Sequence, residues 1–311
     1  MTLKQRLRLP NKYRGRERHG FEVQLVPVLG MFTLLVLAVF LGYHLDTAPA
    51  AETSKVTAKP VANTTTDNET PEEDVDPLPT VAADMQAVIS AQSQLQASAT
   101  LIDLATGKSY SAGNYTERYT AASTAKLVAV FDYINQVEQG KATLDKTIQG
   151  QTAQDIIMRM IVYSDNDAWT KLNTYLTMKH EQAYVKSLGL DAIIQAYNVQ
   201  FSTPDMARLL QLLYEGKLMN DEHRAMVYGY MSSTTMNELI PPALPDDAVI
   251  YHKYGQIEGV LHDAAIVEYQ GHKFVLVVYT NNSAGDATRY SAQVTLIHDI
   301  TTAAFNDVIK S

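Results

Sequence analysis

A chain of 311 residues with no cysteine and a formal net charge of −9 excludes several classes of protein at once. Without thiols there is no disulfide, no thiol nucleophile, no thiolate zinc site and no lipid-modified cysteine anchor. The acidic balance argues against a general basic surface, so no nucleic-acid partner is expected.

The charge is unevenly spread. Lys4, Arg6, Arg8, Lys12, Arg14, Arg16 and Arg18 face only Glu17 in the first eighteen residues, and residues 1–22 read as a basic cytoplasmic tail. Residues 23–45 then run without Asp, Glu, Lys or Arg around the apolar centre "MFTLLVLAVFLGY". As a helix they would extend roughly 34 Å, enough to cross a hydrocarbon core of about 30 Å. The basic flank precedes the span, which predicts a single-pass membrane protein with its N-terminus in the cytoplasm and the remainder outside. The competing reading is a cleaved signal peptide, for which "APAAE" supplies an A-x-A pattern ending at Ala50. The apolar run is longer than a signal core of about 7–15 residues, which favours the retained anchor.

Residues 46–80 are rich in Thr, Ala, Pro, Asp and Glu and poor in large apolar side chains. Such a segment buries too little surface to offset its ordering entropy, so a disordered acidic linker is expected. Residues 81–311 suffice for one well-packed domain. There "VAADMQAVISAQSQ" predicts an amphipathic helix and "ASATLIDLATGKSYSAG" a β-hairpin turning at Ala105-Thr106-Gly107. Helical stretches follow over 124–138, 154–162, 167–179, 181–188, 204–215 and 221–231. The chain then reverts to strands in "AVIYHKYG", "LHDAAIVEY" and "KFVLVVYTN", and a last helix is expected over 289–308. Strands from both ends with helices between predict an α+β fold: one antiparallel sheet flanked by helices, with a helical lobe beside it.

Three short motifs carry chemistry. Lys126 is the one ionisable residue between Arg118 and Asp132, on a helix whose Leu127, Val130, Phe131 and Ile134 continue an apolar face. Ser123 lies three residues earlier, within reach on the same helical face. A desolvated lysine favours its neutral amine, and a neutral amine beside a hydroxyl is a base beside a nucleophile. The first helical turn also favours developing negative charge. Taken alone, the pair is better explained by a lysine snorkelling to the surface. Ser164-Asp165-Asn166 falls between two apolar helical runs, where by itself it would be a turn and N-cap. Lys253 sits near the end of a late strand with Gly255 two residues on, a common strand ending.

The order of the three motifs is more specific than any one of them. Ser-x-x-Lys on a helix, Ser-Asp-Asn in a helical lobe and Lys-x-Gly before two further strands resemble the penicillin-recognising serine hydrolases, most closely the class A β-lactamases. The resemblance spans nearly all of residues 81–311 and includes "GKATLDKTI", "FSTPDMARLL" and "HDAAIV". It implies a β-lactamase/transpeptidase-like fold acting on a β-lactam or a D-alanyl, peptidoglycan-type amide. By resemblance, Ser123 is the acylated nucleophile, Lys126 its base, Ser164 a proton relay and Lys253 a nearby positive charge. Asn166 holds the substrate amide, and the backbone N–H groups of Ser123 and Gln256 form the oxyanion hole. Gly255 lets the strand approach closely. No cofactor or metal is implied, and a monomer is expected.

Two departures from the family pattern bear on the substrate. The segment "SLGLDAIIQAYNVQFSTPD" lacks the glutamate that activates the deacylating water in class A enzymes, and Asp191 is its one carboxylate before Asp205. The acyl-enzyme is therefore expected to be long-lived, as in a D,D-carboxypeptidase or penicillin-binding type, or to be resolved by another group. A non-turnover cell-wall-binding module is the remaining alternative. The interval from Ser123 to Ser164 is also short, which predicts an open site. Tyr254 replaces the Ser or Thr whose hydroxyl binds a substrate carboxylate, and either offers its phenol from farther away or narrows the pocket. His252 and His262 are alternative bases or, by default, structural histidines. Glu258 reads as a surface carboxylate, and Trp169 as packing.

Overall fold

The computed structural model describes residues 78–195, 198–282 and 289–310. The basic tail, the apolar span 23–45 and the linker as far as residue 77 lie outside the described residues. Among those described, no helix is long and apolar enough to cross a membrane. Leu78, assigned above to the linker, is already buried in the core.

The chain enters helix α1 (Val81–Ala91), then strands β1 (Gln96–Asp103), β2 (Ser109–Gly113) and β3 (Tyr119–Thr120). A 3-10 turn (Ala122–Ala125) leads into α2 (Lys126–Glu138). Two short strands, β4 (Thr147–Ile148) and β5 (Gln151–Thr152), precede α3 (Ala153–Val162), α4 (Asn166–Leu176) and α5 (Met178–Ser187). After β6 (Ile193–Gln195) and β7 (Asn198–Phe201) come α6 (Thr203–Tyr214) and α7 (Asp221–Met231). Strands β8 (Val249–Ile257), β9 (Val260–Tyr269) and β10 (His272–Asn281) and helix α8 (Tyr290–Val308) complete the described residues.

Side-chain caps set several of these boundaries. Thr152, Asp165, Ser202 and Asn220 accept backbone N–H bonds at the starts of α3, α4, α6 and α7. The helix expected over 167–179 is in fact broken after Leu176. Thr177 takes φ 69° and caps α5 by accepting from the His180 amide, so the chain turns there.

The main sheet is antiparallel in the order β2-β1-β10-β9-β8, pairing strands from both ends of the domain. Its two faces are both covered, which explains the unbroken apolar run in β10. Val275, Val277 and Tyr279 face the helical lobe with Ala264 and Ile266 of β9. Phe274, Leu276 and Val278 alternate to the other face, packing with α1 and α8. Helix α2 is buried from Lys126 through Ile134, so it is the central post of the lobe rather than an amphipathic surface helix. Strand β8 is a free edge of the sheet. It extends to Ile257, past the end expected near Gly255, because the hairpin turns only at Glu258-Gly259, where Gly259 has φ 72°.

A second sheet, β3-β7-β6, was not anticipated. It lines up Tyr119 with Phe201 and Thr120 with Gln200, and so clamps the segment entering the 3-10 turn.

Candidate active site

The 3-10 turn that carries Ser123 is held from three sides. The Ala121 amide donates to Val199 O at 2.8 Å, tying the turn to β7. The Thr124 hydroxyl donates to Ala121 O at 2.6 Å and lies 2.7 Å from the Tyr279 phenol. Ala122 is forced to φ 47°, a left-handed conformation costly for a residue with a Cβ, so the surrounding bonds impose it. The helix proper begins only at Lys126, two residues later than expected.

His262 braces this turn from the sheet. Its Nδ1 accepts from the Thr280 amide at 3.1 Å, which leaves Nε2–H to donate to Thr120 O at 3.0 Å. The ring stacks on Tyr279 with 4.0 Å between centroids. Complete burial depresses its pKa to about 4, so it stays neutral. His252 is equally committed: Nδ1 lies 3.0 Å from both Asp263 oxygens and Nε2 lies 3.0 Å from Asn237 Oδ1. Both histidines are therefore structural rather than bases.

Lys126 is 1% exposed, and its amine donates to Ser123 Oγ and to Asn166 Oδ1, each at 2.8 Å. Burial lowers its pKa to about 8, while the nearby Asp165 carboxylate pulls it upward. Asp165 itself is spoken for. Burial works against its ionised form, but the Ala168 and Asp167 amides and the Arg159 guanidinium hold its pKa low.

Ser164 sits at the break between α3 and α4 with φ 56°. Its Oγ accepts from Lys253 Nζ at 3.0 Å, and the same amine donates to Tyr254 O at 2.9 Å. Lys253 is fully buried, and burial together with the charge of Lys126 lowers its pKa to about 7. Two desolvated amines thus lie close enough for the charge of one to act on the other, each within hydrogen-bond reach of a serine.

Gly255 lies at the free edge of β8 against the 3-10 turn. A Cβ there would stand 3.0 Å from Ser123 N and 3.0 Å from Ala121 O, both backbone atoms, so any other residue would press the turn out of place by a few tenths of an ångström. Gln256 follows at the exposed end of β8. Tyr254 packs toward the apolar layer under α8, and Lys253 Nζ lies 4.0 Å from its ring centroid. Its ring face is engaged with the lysine.

Asp191 does not join the site. It is ion-paired with Arg118, with 80% of its side chain exposed, and its amide is bonded to Asp205. Glu258 is exposed in the β8–β9 turn. Sequence reasoning missed the brace formed by Thr124 and Tyr279, and also the place of Trp169. The Trp169 ring packs against the lobe, and Lys126 Nζ lies 4.9 Å from its centroid. Its spacing of three residues from Asn166 on α4 was the available signal. Among the described residues no group of three or more His, Asp or Glu side chains is arranged to hold a metal ion.

Comparison with known proteins places this arrangement. The model of the Beta-lactamase enzyme family matches residues 80–308. The β-lactamase OXY-2 of Klebsiella oxytoca is 25% identical across 55% of this chain and 71% of its own. The solved structure of PBP-A superposes with a TM-score of 0.69 at 23% identity, covering 75% of this chain and 97% of that one. A β-lactamase from Sphaerobacter thermophilus gives a TM-score of 0.67 at 22% identity, covering 76% and 99%. At such identities the structural likeness establishes the α+β β-lactamase-like fold.

Proposed function

Because the chain belongs to the Beta-lactamase enzyme family and is a serine hydrolase of the class A β-lactamase-like kind, we propose that it is acylated at Ser123 by β-lactams or D-alanyl-type amides. The observation that carries this reading is the Lys126 amine 2.8 Å from the Ser123 hydroxyl. Lys126 takes the hydroxyl proton as Ser123 Oγ bonds to the carbonyl carbon of the substrate. The negative charge that develops on the carbonyl oxygen is met by the Ser123 and Gln256 backbone N–H groups. The C–N bond then breaks as the departing nitrogen takes the Ser164 hydroxyl proton, and the proton that Lys126 took from Ser123 replaces it on Ser164. Lys253 lends positive charge beside it in molecules whose Lys126 is neutral, where the repulsion that Lys126 exerts on its proton is absent, and Asn166 holds the substrate amide. Tyr254 replaces a small hydroxyl residue at the carboxylate end, and because its ring packs toward the layer under α8 the substrate carboxylate lacks that hydroxyl partner.

Hydrolysis of the acyl-enzyme is the slow half of the reaction. Asp191, the one carboxylate of the segment before Asp205, is turned outward and paired with Arg118. This favours a penicillin-binding or D,D-carboxypeptidase type of behaviour over rapid β-lactam turnover. A PBP-A variant in which leucine is replaced by glutamate is itself described as an acyl-enzyme complex with penicillin G. A non-turnover binding module fits less well, because it has no need of two buried amines each bonded to a serine. We further propose that residues 23–45 anchor the chain as a single span, with the catalytic domain outside the cytoplasm; the uncharged run and its basic flank support this.

The test is to incubate the purified full chain with a fluorescent penicillin and follow intact mass and β-lactam hydrolysis over time. A persistent adduct that is lost in Ser123→Ala is the expected result. Rapid turnover would identify a β-lactamase instead, and the absence of any adduct with β-lactams or activated esters would leave the binding module.

A further inference from the structure

The amine of Lys126 has two hydrogen-bond acceptors, and its third side meets an aromatic face. Nζ lies 4.9 Å from the Trp169 ring centroid, within the range at which a ring quadrupole attracts an ammonium. Trp169 is one helical turn beyond Asn166 on α4, so the same helix presents the acceptor and the ring to the same amine. Its indole N–H is buried and meets no acceptor among the described residues. Hydrogen bonding therefore gives no account of a tryptophan at this position, whereas the ring face does.

We propose that Trp169 is a positioning residue for acyl transfer, whose ring closes the third side of the Lys126 amine and holds it in line with Ser123 Oγ and Asn166 Oδ1. This rests on the serine–lysine reading of the site. The ring attracts the protonated amine more strongly than the neutral one, so it opposes the effect of burial and raises the affinity of Lys126 for its proton. It thereby keeps the base from becoming too weak to take the serine proton. The other charges facing Lys126 are Asp165 at the start of α4 and Lys253 on β8. Behind them stand Arg159 of α3, bonded to Asp165, and Asp263 of β9, near Lys253. Of the ionisable groups of α5, His180 and Glu181 lie instead by Asp132, further along α2. None of these contacts involves Trp169, so the ring can be altered alone.

Trp169 is the single tryptophan of the chain, which permits a test without any change of packing. The full chain is produced with tryptophan carrying none, one, two or three fluorines, and also as Trp169→Phe and Trp169→Met. The Lys126 pKa is read by NMR of 13C-labelled lysine, with Lys126→Met identifying the signal, and the pH profile of penicillin acylation is recorded beside it. The expected result is a stepwise fall with fluorination, a fall of about one unit in Trp169→Met, and a smaller fall in Trp169→Phe, whose ring face is the weaker partner. An unchanged pKa across the fluorinated series overturns the proposal. So does a shift in Trp169→Phe as large as that in Trp169→Met, since the ring face would then be irrelevant. A pKa that follows the series in a protein that penicillin never acylates sustains the positioning role and overturns the proposed function instead.

Discussion

Helix α2 buries charge at two places, and it handles them in opposite ways. At its first residue Lys126 finds two acceptors and an aromatic face. Two turns later Asp132, wholly buried, meets His180, whose Nε2 lies 3.1 Å away on a half-exposed ring, and burial raises the Asp132 pKa against the pull of that imidazole. Beside it on α5 is Glu181, also buried, whose pKa burial and the Asp132 charge raise to about 8. The lesson is that a buried ionisable group supports chemistry only where its partners are already in place. Lys126 is desolvated but oriented by two acceptors; Asp132 and Glu181 are desolvated carboxyls beside each other, whose pKa values burial raises.

The two places also give opposite pH dependences of stability. Folded Glu181 keeps its proton to about pH 8, whereas a free glutamic acid loses it near 4.5. Between those values the folded state binds the extra proton, so stability falls as pH rises. Folded Lys126 loses its proton near pH 8, whereas a free lysine keeps it to about 10.5. There the unfolded chain binds more protons, so stability rises with pH.

The contrast can be broken or sharpened by substitution. The largest expected effect is that of Lys126→Met, which lowers the rate of acylation by about 10³-fold, the contribution of a positioned general base. The same variant gains about 3 kcal/mol of stability at pH 7, an advantage that disappears by pH 11. Urea denaturation across pH measures it, and an advantage that persists at pH 11 would show that charge is not its cause. Next in size is Glu181→Gln, which stabilises the fold by about 4 kcal/mol at pH 8, by little below pH 4, and leaves acylation within about threefold. Loss of acylation in this variant would erase the distinction between the two places on the helix. Gly255→Ala forces a Cβ against the backbone of Ser123 and lowers acylation by about tenfold or more while the fold persists in circular dichroism. The smallest effect is that of Asp191→Asn, which removes an exposed ion pair, costs under about 1 kcal/mol and leaves the lifetime of the acyl-enzyme unchanged. A lengthened lifetime would mean that Asp191 takes part in deacylation after all.

Much of this site was legible in the sequence because its signals are local and ordered. A serine and lysine three apart, a Ser-Asp-Asn break between helices and a late Lys-x-Gly strand each declare a backbone shape, and the fold bonds Lys126 to Ser123 and Asn166, and Lys253 to Ser164. The sheet was equally readable from its alternating or fully apolar strands. What escaped depends on long-range contacts. Strands β3, β6 and β7 have two, three and four residues, too few to show a period. The strain at Ala122 comes from bonds to β7 and β10, and no propensity reveals it. Asp132 and Glu181 escaped because charged positions on helices are ordinarily assigned to solvent. Trp169 read as packing, which it is, but the amine it packs against comes from another helix.

The central claim is that a desolvated lysine acts as the base for Ser123, and the pH dependence of acylation tests it most directly. The rate of adduct formation on the full chain should rise through an inflection near pH 8 as Lys126 loses its proton, and fall at higher pH where Lys253 loses its positive charge. That inflection should vanish in Lys126→Met. An adduct rate indifferent to pH between 6 and 10, or an inflection that survives the substitution, would contradict the account.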